Sequence, residues 1–465
     1  MIRKVTRFFL ILSILYVFML APDKASSFNN NLIFNLTFLV LINVVLHFFS
    51  EKMVYKNWLR YDVLFIIGFL IVHFQIPFLA SLGVEPNNPD FIWENKFVVN
   101  YATWFSSLAI LIWLLGYKLY KPSLKTRIIR YGVKYYKLHF LLIISFLLFI
   151  FLVGQDFLSG SYSGQRNWET GSIYAFIILR ISMYLSIIYF FINNSRKLSN
   201  SKEFFKAILK NKTLFIIIIS YVFIFLGAGD RGPIMELGLV FLGSYSIFYR
   251  HFSFSKLIFL VFIGALIFTI IRFGRTRDAS TRQGNIITEG YENFNESDDT
   301  FNPTNELASS TRILYRALDV VPERHPYLYG ITIGLTIVDI LPFGGLAIQK
   351  YTDIPPMYTS SGRFFTILKK GNNYDSGDGS EIIADLYVNF GFWITLLIFL
   401  FFGRFISYIN FQYHFNKTHR VHIIYIFLLI TAIYVNRADF LNPLKLIVWA
   451  LIFDWFLTKK ISKSE

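Results

Sequence analysis

The chain contains no cysteine, and charged residues occupy only 16% of its 465 positions. Without cysteine it forms no disulfide scaffold, no thiolate metal site and no cysteine nucleophile. The low charge content and a mean hydropathy of +0.50 leave too few polar groups to cover the surface of a soluble protein. The apolar excess also excludes an intrinsically disordered chain.

Hydrophobic residues are abundant, at 55% of the chain, and include 53 phenylalanines. Apolar runs recur from end to end, and a bilayer core requires roughly 20 such residues per helix. We therefore predict an all-α polytopic integral membrane protein with about twelve transmembrane helices and one large outer loop that contains short helices. The predicted spans are 8–20, 32–49, 63–82, 101–119, 138–153, 173–192, 214–226, 234–248, 257–271, 386–409, 423–435 and 444–457.

The net charge of +16 follows the predicted topology. Lys and Arg gather in alternate loops, which the positive-inside rule places in the cytoplasm together with both termini. This explains the basic excess without a nucleic-acid partner. The chain then divides into helices 1–9 with short loops (1–271), a large outer loop (272–383), and helices 10–12 with a cytoplasmic tail (384–465). A signal peptide is the alternative for the first run, because three basic residues precede it.

Arginines also occur in number at the predicted outer face, where the positive-inside rule leads us to expect few basic residues. Guanidinium groups bind phosphate or carboxylate through two parallel hydrogen bonds. We therefore predict an anionic substrate there, with ion pairs to nearby acids as the alternative. Arg180 lies inside a span, where a charge requires a cavity or a partner such as Glu236. The candidate substrate-binding arginines are Arg166, Arg180, Arg272, Arg275, Arg312 and Arg316.

Two short outer turns combine an arginine with an acid. In GAGDRGP (227–233), glycines let the backbone approach a ligand, and Pro233 starts a helix whose N-terminus attracts anions. We predict that Arg231 binds a diphosphate there; the alternative is a plain turn in which Asp230 caps the helix. VNRADFLNP (435–443) likewise contains Arg437 and Asp439.

The large loop supplies further candidates. The stretch STRILYRALDVVPERHP (310–326) predicts a helix that ends before Pro322, with Arg312 and Arg316 on one polar face that meets either a lipid diphosphate or solvent. The apolar stretch 328–348, broken by Gly and Pro, is typical of a re-entrant or interfacial segment. His325, Asp378, Glu381 and Asp385 are candidate general bases; helix capping by Ser380, with acids in the first turn, is the alternative for the acidic stretch 375–391.

Motifs for zinc, calcium and nucleotides are absent, which permits a site without metal or cofactor. An outer site without ATP requires a substrate that is already activated. Three stretches resemble the Wzy-type O-antigen and capsular repeat-unit polymerases, including the enterobacterial common antigen polymerase branch. They are GAGDRGPIMELGLVFLGSYSIFYR (227–250), GSEIIADLYVNFGFWITLLIFLFFG (379–403) and NRADFLNPLKLIVWAL (436–451). The predicted spans and the dominant outer loop fit the same family.

The resemblance implies a metal-independent glycosyltransferase at the outer face of the bacterial cytoplasmic membrane. It would transfer a glycan from undecaprenyl diphosphate onto a lipid-linked oligosaccharide repeat unit. Arg231 would hold the diphosphate with help from Arg437, next to Asp230 and Asp439, and the other outer arginines would bind carrier or glycan. Membrane lipid and a chain-length regulator protein are further expected partners.

Two alternatives remain open at this point. The first is an O-antigen ligase or another lipid-linked glycosyltransferase. Many of the latter carry acidic motifs in a large first outer loop, whereas segment 21–31 here is short and holds one acid, Asp23. The second is a polysaccharide transporter or flippase, for which more embedded charges and an internal repeat are expected.

Overall fold

The computed structural model describes residues 2–86, 88–121, 131–160, 168, 170–194, 201–274, 286–296, 304–374, 376–416 and 418–462. Within these residues the fold is helical apart from one antiparallel sheet of two strands, β1 (Tyr131–Lys134) and β2 (Lys459–Ser462). The prediction of an all-α fold is confirmed in its main feature, and the small sheet was not predicted.

Twelve α-helices precede the large loop within the described residues. They are α1 (Ile2–Met19), α2 (Asn30–Lys52), α3 (Tyr61–Ser81), α4 (Pro89–Trp93), α5 (Val99–Leu119), α6 (Tyr136–Leu152), α7 (Gln155–Leu158), α8 (Thr170–Asn194), α9 (Ser201–Lys210), α10 (Lys212–Gly227), α11 (Gly232–Phe248) and α12 (Phe254–Phe273). The described parts of the loop contain short helices, as predicted: α13 (Ile286–Glu296), α14 (Asn305–Ala308), α15 (Thr311–Val320), α16 (Ile331–Val338), α17 (Gly344–Tyr351) and α18 (Ser361–Lys370). After the loop follow α19 (Ile382–Phe411), α20 (His419–Leu429) and α21 (Leu444–Leu457).

Every predicted apolar run coincides with a helix, except that the last residues of run 423–435 form a turn and a 3-10 helix. Among the described residues, six helices are long and apolar enough to cross a membrane, or seven if the bent pair α9–α10 counts as one span. Helices α6, α11 and α20 are apolar but shorter. The fold is thus compatible with a multi-pass helical membrane protein, while length and composition do not establish twelve spans.

The most extensive contact between two described helices is that between α5 and α19. A Cβ atom added to Gly116 of α5 would lie 1.9 Å from the Leu400 carbonyl oxygen, and one added to Gly403 of α19 would lie 2.0 Å from that of Trp113. Both glycines therefore let two backbones touch, which is how small residues join helices in membranes. Trp113 is fully buried beside this contact.

The large loop packs onto the helices on either side of it. Helix α15 ends before Pro322, as predicted, and lies against α4, α5 and α19. The α16–α17 hairpin contacts the first residues of α8 and of α21, because Tyr174 accepts a hydrogen bond from the Phe343 amide and Trp449 donates one to the Ile340 carbonyl, each at 2.7 Å. The loop is thereby fixed to the ends of the helices that the charge pattern assigns to the outer side.

Candidate functional site

The two predicted catalytic arginines converge on one carboxylate. Arg231 precedes α11, and Arg437 ends the 3-10 helix Tyr434–Arg437. Both bind Glu306 of α14: Arg231 pairs with Oε2, and Nη1 of Arg437 donates to Oε1 at 3.3 Å. We call these three residues the arginine–glutamate cluster. The side chains are 18% exposed for Arg231, 30% for Arg437 and 36% for Glu306, so the cluster is accessible from outside the protein.

Helix α3 positions two of the three segments that form the cluster, namely the one that contains Glu306 and the one that contains Arg437. Gln75 of α3 accepts a hydrogen bond of 2.7 Å from Thr304, which immediately precedes α14 and Glu306. Asn436, the neighbour of Arg437, is buried and donates to the Phe65 carbonyl of α3 at 3.3 Å. The cluster is therefore assembled on a packed helix rather than on loops alone, which limits its freedom to rearrange.

Arg180 forms the ion pair with Glu236 that the sequence offered as an alternative to substrate binding. Tyr184 also donates to Glu236, at 3.0 Å, and the Arg180 guanidinium lies 5.1 Å from the Phe176 ring centre. Tyr434 interacts electrostatically with Glu236 as well as with Arg437 and Glu306. The Arg180–Glu236 pair thus borders the arginine–glutamate cluster.

Asp385 and Asp439 lie on the other side of the Arg437 turn. Asp385 is 1% exposed and accepts the Phe440 amide at 2.8 Å. Asp439 accepts the Ser361 hydroxyl at 2.5 Å and interacts electrostatically with Asp385. Asp385 thus binds the turn that carries Arg437, and its burial gives no support to a direct contact with substrate. The partly exposed Asp439 is the more accessible of the two.

The residue that caps the start of α19 differs from the one predicted. Glu381, not Ser380, caps the helix by accepting the amides of Ile383 and Ala384 at 2.7 and 2.8 Å. Ser380 instead shares a hydrogen bond of 2.7 Å with Ser361. A carboxylate satisfies two unpaired amides at once, which a hydroxyl does not.

His325 is engaged within the large loop. Its Nδ1 lies 2.7 Å from the Pro326 carbonyl oxygen and its Nε2 3.2 Å from the Tyr358 hydroxyl, while its ring packs on Phe364 at 5.0 Å. Both ring nitrogens therefore already have partners. These contacts fit a residue that orders the loop and give no support to His325 as a general base.

The predicted exposed face of α15 is turned inward, so that prediction is wrong about placement. Arg312 and Arg316 are 7% and 6% exposed. Their Nη2 atoms lie 3.3 and 2.8 Å from the Asp378 carboxylate, and Arg316 also pairs with Glu94. Buried charges require such partners, and the network joins α15 to the segments around α4 and before α19.

Asp378 is the acidic centre of this network. Burial by itself raises the pKa of Asp378, but the guanidinium groups of Arg316 and Arg312 outweigh it, so that the pKa lies below its usual range. The carboxylate is thus ionised at neutral pH and fastens the segment before α19 to α15.

The remaining predicted residues lie elsewhere. Arg272 is exposed at the end of α12, with its guanidinium over the Phe273 ring. Arg231, not Asp230, occupies the N-cap position of α11, and the Arg231 side chain makes no capping hydrogen bond. Arg166 and Arg275 lie outside the described residues. In the parts of the chain that the structure describes, no group of three or more His, Asp or Glu side chains is arranged to hold a metal ion.

Glu306 is the residue that sequence reasoning missed. Nothing in the segment TNELASS (304–310) marks it, and only the surplus of outer arginines hinted at a counter-charge. Comparisons with protein-family models, with curated proteins and with solved structures give no match for this chain. Function is therefore inferred from the site itself.

Proposed function

We propose that this protein is a polysaccharide polymerase of the Wzy type, a metal-independent glycosyltransferase that transfers a glycan from undecaprenyl diphosphate onto a lipid-linked oligosaccharide repeat unit. It would act at the outer face of the bacterial cytoplasmic membrane, as a multi-pass protein with both termini in the cytoplasm. The substrates would be its main partners, together with membrane lipid and a chain-length regulator protein.

The observation that carries this proposal is the arginine–glutamate cluster. Two guanidinium groups from distant turns share one accessible carboxylate, Glu306. A diphosphate carries more negative charge than a carboxylate and accepts the same forked hydrogen bonds. We infer that the diphosphate of the donor displaces Glu306 and is held by Arg231 and Arg437 together.

The chemistry then needs only the residues of this site. The bond between the anomeric carbon and the carrier oxygen breaks, and its electron pair goes to the diphosphate, whose charge the two arginines neutralise. The acceptor hydroxyl attacks the anomeric carbon and gives its proton to a carboxylate. Asp439 is the best placed for this step, because it adjoins the Arg437 turn and, unlike Asp385, is partly exposed.

The decisive experiment compares Arg231→Ala and Arg437→Ala with the control Arg324→Ala in a strain whose polymer depends on this protein. Arg324 is also paired with an acid, Asp319, but is 62% exposed. We expect both cluster variants to lose long chains by about 10²-fold or more in rate while single repeat units stay on the surface. The control should make normal polymer.

Other outcomes point to other functions. Loss of all surface glycan, with lipid-linked units trapped inside, would favour a flippase. Polymer that accumulates on its lipid carrier would favour a ligase. Normal chain lengths in both cluster variants, at normal amounts of protein in the membrane, would contradict the proposal.

A further inference from the structure

A second cationic pocket lies within the large loop, where the α16–α17 hairpin meets the start of α18. It has a volume of about 240 Å³. Its walls are of two kinds: Leu335 and Ile348 of the hairpin are aliphatic, whereas Thr359, Ser360 and Arg363 are polar. A pocket that is apolar on one side and cationic on the other suits an amphipathic anion.

Arg363 differs from the other arginines in the continuously described segment 304–374. Arg312, Arg316 and Arg324 each form an ion pair with a carboxylate. Within the described residues, Arg363 has no carboxylate within 4 Å, and its Nη1 donates only to the Thr359 hydroxyl at 3.1 Å. A guanidinium has five N–H donors, and within the described residues one of those of Arg363 is engaged, which leaves the others able to reach a ligand.

The acid in the same pocket is already neutralised. Asp339 lines the cavity, but its Oδ2 pairs with Lys445 of α21 at 2.8 Å. The Ser360 hydroxyl accepts the Arg363 amide at 3.2 Å, and its own proton remains able to reach an acceptor. The polar wall therefore offers donors to a negatively charged group.

The surroundings of the pocket are compatible with a position at the surface of a membrane. The hairpin is fixed to the beginnings of α8, a candidate span, and α21 through Tyr174 and Trp449. On its outer side it exposes Ile337, Leu341, Phe343 and Leu346, at 50%, 61%, 57% and 47%. Apolar side chains exposed to this extent on a short helical hairpin fit insertion into the boundary of a bilayer.

We propose that this pocket binds the phosphate group of a membrane lipid. The Arg363 guanidinium and the Ser360 hydroxyl would bind the phosphate, and the lipid chain would run along Leu335 and Ile348 toward the exposed side of the hairpin. The site does not depend on the proposed polymerase activity. Two lipids carry the required chemistry: a resident phospholipid, and the isoprenoid lipid of the proposed reaction.

Native mass spectrometry of the purified full-length protein tests the proposal. The detergent-solubilised protein is offered phosphatidylglycerol, undecaprenyl phosphate or diacylglycerol, and the bound fraction is measured. Arg363→Gln removes the charge, Ile348→Trp fills the pocket without a charge change, and Arg324→Gln removes an arginine outside it. We expect each pocket variant to lower phosphate-lipid binding about tenfold and the control to leave it unchanged.

The lipid whose binding is lost in the pocket variants identifies which lipid supplies the phosphate group. Loss of phosphatidylglycerol identifies a resident phospholipid, and loss of undecaprenyl phosphate alone identifies the isoprenoid lipid; either supports a phosphate site. The proposal is overturned if both pocket variants bind the phosphate lipids as the wild type does. It is also overturned if the wild-type protein retains diacylglycerol as well as it retains the phosphate lipids. These results are separate from the polymer assay of Arg231→Ala, so either proposal can fail while the other stands.

Discussion

Gly68 of α3 lies so close to Asn436 that a Cβ atom added to Gly68 would be 2.6 Å from the amide nitrogen of Asn436. The same atom would be 2.9 Å from the Ile433 carbonyl oxygen. Asn436 is buried and directly precedes Arg437. The contact with Gly68 therefore determines how close the turn lies to α3, and with it the position of Arg437 in the arginine–glutamate cluster. The position of a predicted catalytic group is thus fixed by a glycine that bears no functional atom.

Gly68→Ala should therefore impair the site without removing any of its groups. The extra methyl has to push the 433–437 turn away, at a cost of about 1–3 kcal/mol. We expect shorter polymer than wild type, together with a lower unfolding temperature of the purified protein. Gly238→Ala is the matched control, because a Cβ there meets nothing within 4 Å. Normal chain length in Gly68→Ala would show that Arg437 tolerates displacement.

The Arg180–Glu236 pair is suited to a double-mutant cycle. Both side chains are largely buried, at 13% and 20% exposure, so Arg180→Gln or Glu236→Gln alone leaves one charge uncompensated and should cost about 3 kcal/mol. The double variant removes both charges and should be clearly more stable than the sum of the single changes predicts. We expect it to recover polymer as well, as for a structural pair. Recovery of stability without polymer would instead support the predicted role of Arg180 in binding substrate.

The helices were predictable because their signals are local. Apolar runs, and Pro322 at the end of α15, act within a few residues of the chain. The periodicity of α15 also predicted correctly that Arg312 and Arg316 share a face. It did not say what that face meets, because an amphipathic pattern defines a direction and not a partner.

The ion pairs at the site could not be predicted from the sequence. Glu306 is 75 residues from Arg231, and Glu94 is 222 residues from Arg316. Nothing local distinguishes these glutamates from exposed ones, since the partner is chosen by the packing of α3, α4 and α14. The sequence therefore predicted two arginine turns that the structure brings together, but neither the carboxylate that joins them nor the burial of the α15 arginines.

The Asp378 network should loosen in acid. The pKa of Asp378 is lower in the folded protein than in the unfolded chain, so its stabilisation is present above the unfolded pKa and is lost as pH falls through the folded value. The protection of α15 and of segment 376–380 against hydrogen exchange, taken relative to the intrinsic amide rate at each pH, should fall over that acidic range. In Asp378→Asn this protection should be low already at pH 7 and change little further with pH. Equal protection of α15 in this variant and in wild type at pH 7 would contradict a fastening role.

Glu306→Gln tests whether this carboxylate occupies the place of a phosphorylated ligand. If it competes for Arg231 and Arg437, neutralising it removes the competitor while the amide keeps the shape of the side chain. Ion pairs of this exposure contribute about 0.2–1 kcal/mol, so inorganic diphosphate should bind the variant about 1.4- to fivefold more tightly, measured by titration calorimetry at low salt. Glu323→Gln is the control, since Glu323 is an exposed acid of the same loop that pairs with Lys24. Weaker binding by Glu306→Gln than by this control would mean that Glu306 holds the arginines in place for the ligand instead of competing with it, and the displacement step in the proposed mechanism would have to be withdrawn.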